Sequence, residues 1–189
     1  MNKPIRILHV VTIMNLGGIE TFLMTLYRKI DRNKIQFDFL VHRTDVGFFD
    51  TEIRTLGGNI FYQDELNPLK YLSYNKKLNL FFKTHCYNIV HSHLNANSAI
   101  VLQIAKKAGV PIRIAHSHID KDSGGIKGLL KNISKNFINS VANYRFACSN
   151  QAGKWLFKDA VFSVFTNAID TKKFIYDLDK RKEIRKYLK

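Results

Sequence analysis

Two copies of the tripeptide His-Ser-His, at His91 to His93 and at His116 to His118, each close an apolar run of strand character. Alternate residues of a strand point to the same face, so the two imidazoles of each copy look one way and the serine the other. Imidazoles spaced like this are credible zinc ligands, above all on neighbouring strands, and a metal-dependent hydrolase would follow from that use. The chain has no H-E-x-x-H and no obvious matching carboxylate. We therefore expect His91, His93, His116 and His118 to serve as polar groups of a binding cleft, with no metal required.

A second candidate is the stretch "IMNLGGIETFLMTLYRKI" from Ile13 to Ile30. Gly17 and Gly18 lack Cβ atoms, which allows a tight turn and close approach by a ligand, and the helix that follows offers free N–H groups and the positive end of its dipole. That is a seat for a phosphate or a sugar. The spacing is neither G-x-G-x-x-G nor a P-loop, so the usual dinucleotide and nucleoside triphosphate fingerprints are missing. Glu20, in the first turn, either lines the cleft or complements the helix dipole. Ser149 in "ACSN" sits at a strand end and reads most simply as an N-cap, with no G-x-S-x-G to make it a nucleophile. "TNAIDTKKF" places Asn167 and Asp170 in a polar turn after the last apolar run, where residue types alone define no chemistry.

These residues need a frame that puts strand ends together. Seven short apolar runs rich in β-branched residues provide it, at 5–13, 36–42, 59–63, 87–94, 111–119, 144–149 and 161–169. Between the first two, Ile19, Phe22, Leu23, Leu26, Tyr27 and Ile30 fall on one helical stripe. "SAIVLQIAKKAGVP" ends its helical run with lysines, then Gly109 and Pro111. Strand then helix, repeated, predicts an α/β protein with a Rossmann-like, doubly wound, mainly parallel sheet, in which ligands bind beyond the carboxyl ends of the strands.

Composition narrows the classes. Hydrophobic residues make up 46%, which excludes a disordered chain. Lys and Arg number 30 against 15 acidic residues, a formal charge of +15 that favours an anionic partner, a phosphate group or an anionic membrane surface. No nucleic-acid reading motif accompanies that charge, so no nucleic-acid partner is expected. The helical segment 126–141 has an apolar stripe through Ile126, Leu130, Ile133, Phe137 and Val141, flanked by Lys127, Lys131 and Lys135. It either lies on an anionic lipid surface or packs its stripe on the sheet with the lysines in water. Two cysteines, Cys86 and Cys148, without close spacing, fit a reducing cytoplasm. The apolar start lacks a signal-peptide cleavage pattern, and no run of 18 apolar residues exists to span a membrane.

In order and spacing, "GGIET", "IVHSHL", "RIAHSH", "ACSNQAGKWL" and "NAIDTKKF" together resemble the N-terminal half of a family-4 glycosyltransferase of the GT-B fold, particularly bacterial capsular and exopolysaccharide enzymes. The resemblance implies a retaining transferase that moves a sugar from a UDP- or GDP-sugar donor to a glycan or lipid-linked acceptor, without a cofactor, in the cytoplasm at the inner face of the cell membrane. It implies that Gly17 and Gly18 approach the donor phosphates and sugar, and that His116 lines the reaction site. Glu20, His91, His93, His118, Ser149, Asn167 and Asp170 would line the cleft or meet the acceptor. Ala168 departs from the family's commoner Gly. The domain is expected over 1–175, with a charged helix over 176–189 leading to a C-terminal domain that would hold the nucleotide sugar and the family's Glu-x7-Glu element. By itself this half is expected to be inactive. A metal-dependent hydrolase and a non-enzymatic phospho-ligand or lipid-surface module are the alternatives.

Overall fold

The computed structural model describes residues 3–119, 126–169 and 171–188, without the side chains of 126–133, 172 and 173. Its strands are β1 (Ile5–Val11), β2 (Ile35–Val41), β3 (Ile60–Tyr62), β4 (Ile89–Ser92), β5 (Ile112–Ser117), β6 (Tyr144–Ala147) and β7 (Ser163–Val164). They form one parallel sheet in the order β3-β2-β1-β4-β5-β6-β7. The chain runs outward from β1 to β3, crosses back and runs outward again from β4, so the order reverses between β1 and β4. In such sheets the ligand crevice opens at that reversal, beyond the carboxyl ends.

The helices are α1 (Gly18–Lys29), α2 (Asp50–Thr55), α3 (Tyr71–His85), α4 (Ser98–Lys107), α5 (Ile126–Val141), α6 (Asn150–Phe157) and α7 (Leu178–Tyr187). Strand alternation divides the core between two faces. Leu8, Val10, Leu40, Val90, Ala115 and Ala147 point to the side covered by α3, α4, α5 and α6. Val11, Phe37, Phe39 and Val41 point to the other side, under Phe22, Leu23 and Tyr27 of α1 and Ile53 of α2. A parallel sheet covered in this way needs the near-continuous apolar runs seen in the sequence.

One polar group interrupts β2. Asp38 is fully buried and accepts from Arg6 Nε (2.6 Å), Tyr87 Oη (2.7 Å) and the backbone N–H of Asn59 (2.7 Å). Burial opposes its ionisation, but the Arg6, Tyr87 and Asn59 hydrogen bonds outweigh it and hold the carboxyl below its ordinary value. The network ties β1, β2, the turn before β3 and the residues just before β4 together.

All seven expected strands form, although β7 is only two residues long. Helix α5 covers the expected 126–141, but its buried face differs from the predicted stripe. Val141 of that stripe is buried as expected, but Phe137 is exposed with Ile138 buried in its stead, and Lys135 is buried against the Trp155 ring at 4.3 Å instead of standing in water. Ile126, Lys127, Leu130, Lys131 and Ile133 have side chains outside the described set.

Candidate functional site

The two His-Ser-His copies lie on adjacent parallel strands, and each splits its residues between faces. Ser92 donates to Ser98 Oγ at the start of α4, and Ser117 donates to the carbonyl of Ala152 in α6 (2.8 Å), so the serines fasten helices on one side. The histidines gather on the other. His9 of β1, absent from the sequence-based expectation, joins them because β1 and β4 pair His9 directly with His91.

The five rings form hydrogen-bonded sets. His9 Nδ1 lies 3.1 Å from His93 Nε2, and His93 Nδ1 lies 2.9 Å from His118 Nε2. His91 Nε2 lies 3.2 Å from His116 Nδ1. A neutral imidazole donates once and accepts once, so His9, His93 and His118 share a single donation direction along their chain. The loop after β4 is held by Asn95, which has φ 52° and accepts from the backbone N–H of His118 through Oδ1 (2.8 Å). Asn tolerates this left-handed conformation better than most residues.

Burial keeps the whole group neutral. It depresses His9 and His116 to about 3 and His118 to about 4, and the neighbouring imidazoles add to the effect on His116. His91 and His93 are pushed well below 6.5, first by burial and then by each other's company. Among the described residues, three histidine ring nitrogens, His9 Nε2, His116 Nε2 and His118 Nδ1, are buried without a hydrogen-bond partner. Such atoms are uncommon in folded proteins and mark places where a ligand, water or ion completes the bonding. His9, His91 and His93, or His93, His116 and His118, each bring three ring nitrogens within 4.8 Å of one another, close enough to chelate a divalent ion. Neither triplet contains the carboxylate that a hydrolytic zinc centre often uses as ligand or base.

Helix α1 flanks this cluster, with the Phe22 ring edge-on to His116 at 6.3 Å between centroids. Gly17 is the N-cap in an extended conformation (φ −127°, ψ 168°), so the glycines are not demanded by backbone strain. Space is the reason that remains. A Cβ on Gly18 would have nothing within 4 Å, and one on Gly17 would meet the carboxylate of Glu20. No side chain caps the helix. The Glu20 carboxyl folds back over the first turn, where burial raises its pKa and its own backbone N–H partly offsets that.

The remaining expected residues lie apart from the rings. Ser149 is the N-cap of α6, accepting from Ala152 N–H (3.1 Å). Asn167 is exposed beyond β7, and Asp170 lies outside the described residues. Sequence reasoning also passed over His42, buried at the end of β2, whose Nδ1–H donates to the Val11 carbonyl while Nε2 accepts from Tyr74 Oη (2.7 Å). Beside it a groove of about 910 Å³ opens beyond β2 and β3, between Arg43, Gln63 and Glu65 on one side and Pro68, Lys70 and Ser73 on the other.

Known proteins share much of this sequence and of this fold. The family model "Glycosyltransferase Family 4" matches residues 16–173. This chain belongs to the family-4 glycosyltransferases. It is 36% identical over 156 residues to EpsF of Bacillus subtilis, which carries a glycosyltransferase name, and 31% identical over 124 residues to the capsular polysaccharide biosynthesis glycosyltransferase CapH of Staphylococcus aureus. These matches cover 80% and 63% of the chain, which spans 41% of EpsF and 32% of CapH. Among solved structures, Anabaena HepE, crystallised with UDP and glucose, superposes with a TM-score of 0.67 at 17% identity, over 96% of this chain and 50% of HepE. MurG of Acinetobacter baumannii gives 0.57 at 13% identity, over 88% of this chain and 46% of MurG. Both likenesses are of fold, the Rossmann-like half of a GT-B glycosyltransferase.

Proposed function

We propose that this chain is the acceptor-side half of a retaining glycosyltransferase that transfers a sugar from a UDP- or GDP-sugar to a glycan or lipid-linked acceptor in polysaccharide synthesis. The observation that carries the reading is His116 Nε2, buried without a partner among the described residues at the carboxyl end of β5, beside Phe22 of α1, a helix whose start carries no side-chain cap. A neutral imidazole there donates to or accepts from a sugar hydroxyl. The N–H groups of the α1 first turn and its dipole stabilise negative charge on the departing diphosphate. Gly18 leaves room for that approach. The cytoplasmic face of the membrane is the location that suits such donors and acceptors.

In this reading a second domain, following the charged segment 176–189, holds the nucleotide, and residues 1–175 alone turn over no donor. The test uses a longer chain that adds that domain. His116→Gln, which keeps a polar group but moves it, is expected to lower kcat by about 10²-fold or more while thermal stability holds. Full activity in that variant would overturn the role given to His116. The hydrolase alternative is not favoured, since the family is one of transferases and the imidazole triplets bring no carboxylate.

A further inference from the structure

Five imidazoles at the crevice make a nitrogen-rich set of which the proposed transfer step uses only His116. Neighbouring rings already stand edge to edge, with His93 Nδ1 2.9 Å from His118 Nε2, His9 Nδ1 3.1 Å from His93 Nε2 and His91 Nε2 3.2 Å from His116 Nδ1. A tetrahedral zinc ion, about 2.0–2.1 Å from each ligand, sets two nitrogens roughly 3.3 Å apart. The adjacency of β1, β4 and β5 in the sheet thus holds imidazole edges at nearly the spacing that such an ion needs.

The two triplets that bring three ring nitrogens within 4.8 Å of one another share His93, so one ion at a time can take three of these neutral rings. His93, His116 and His118 make the better set. Both His116 Nε2 and His118 Nδ1 are buried without a partner among the described residues, whereas the triplet of His9, His91 and His93 has only His9 Nε2 in that state. His9 is also packed against Phe37 and Phe39, at 4.3 and 5.7 Å between ring centroids, which resists the small rotation needed to close on an ion. His118 is half-buried and opens a way in from solvent. Behind the ligands, His91 holds His116 at Nδ1, and Asn95 Oδ1 accepts from the backbone N–H of His118 (2.8 Å). Bonds of this kind orient ligating imidazoles and raise their affinity.

We propose that His93, His116 and His118 form a reversible, inhibitory site for a divalent transition ion of the zinc class. The donor set selects the ion. Imidazole nitrogens with no carboxylate among them suit zinc, cobalt or nickel, whereas magnesium and calcium take oxygen ligands. Three protein ligands leave the fourth position of a tetrahedral ion to water. The fold needs no ion, because the rings bond one another without it, so the ion is an acquired ligand that a chelator removes. Once bound, it occupies the part of the crevice where His116 would otherwise meet a sugar hydroxyl, and transfer stops. Only this consequence rests on the transferase reading.

Calorimetric titration of the untagged, chelator-treated chain with zinc chloride at pH 7.5 tests the site without any activity. One zinc per chain is expected to bind, with a dissociation constant of about 10 µM or tighter, while magnesium chloride gives no binding. Zinc should also raise the melting temperature of the treated chain. His118→Gln removes one ligand and should weaken zinc binding at least about 100-fold, and His116→Gln, titrated in the same way, should do likewise. His85→Gln, on the exposed end of α3, should leave the affinity unchanged. Circular dichroism verifies that each variant is folded. Zinc binding weaker than about 100 µM in the wild-type chain would overturn the proposal. So would undiminished binding by folded His118→Gln and His116→Gln, or an equal loss from His85→Gln. In a chain that adds the second domain, saturating zinc should lower transfer at least about tenfold, and a chelator should restore it. Zinc bound at these residues with transfer unaffected would overturn the inhibitory role. Zinc bound as expected in a two-domain chain that transfers no sugar even in chelator would count against the transferase reading and leave the metal site standing.

Discussion

The neutral histidine cluster makes stability depend steeply on pH. In the fold His9, His116 and His118 are held at about 3 to 4 and His91 and His93 well below 6.5, and all five return to about 6.5 when the chain unfolds. Between those limits the unfolded chain binds more protons than the folded one, so stability is full above about 6.5 and falls as the pH descends toward 3. From pH 7 to pH 5.5 each such group costs about 1 kcal/mol, and the five together roughly 5–6 kcal/mol. That compares with a net stability of about 5–15 kcal/mol for a folded domain. The assay is urea unfolding followed by circular dichroism at pH 7.5, 6.5 and 5.5, in a chelator so that no metal competes for the imidazoles. The slope of unfolding free energy against pH counts the protons taken up, and it should reach roughly four to five near pH 5.5. A change below about 2 kcal/mol across the range would refute the reasoning, because the cluster would then titrate in the fold almost as it does in the unfolded chain.

Other expectations follow from single contacts. Asp38→Ala leaves Arg6 and Tyr87 without their acceptor and should cost about 3–5 kcal/mol in chemical denaturation. Ser149→Ala removes the N-cap of α6 for about 1 kcal/mol, measured in the same way. Gly18→Ala meets open space at the start of a helix, so the melting temperature should hold or rise slightly, while in a two-domain chain the KM for the nucleotide sugar should increase by about tenfold or more. Dialysis against a chelator should leave the melting temperature unchanged, since the imidazoles already bond one another; a large fall would revive the metal-centre reading.

Much of the frame was legible because apolar runs and turn residues state it locally. The seven strands, the helix after the glycine pair and the Ser149 cap each depend on neighbours in sequence. The contributions that escaped depend on register. His9 is a lone imidazole in an apolar strand, and only its pairing with His91 shows that it belongs to a cluster. Asp38 was a visible polar interruption of "QFDFLVH", yet its partners come from residues 6, 59 and 87. In the described part of α5 Val141 takes the expected place, but packing against α4 and α6 chose Ile138 over Phe137 for the interior and Trp155 drew in Lys135. The glycine pair was read for two reasons, and the structure retains the absence of Cβ atoms without the need for unusual backbone angles.

The His-Ser-His tripeptides answer to two different demands within three residues. Their serines hold α4 and α6, while their imidazoles face the crevice, with no shared contact between the two roles. Under the proposed reading, descendants of such a strand can exchange the outer residues, and with them the ligand, while the middle residue goes on anchoring the scaffold. A parallel strand with a helix on one side and a ligand on the other is in this sense two texts interleaved letter by letter, each open to revision without corrupting the other.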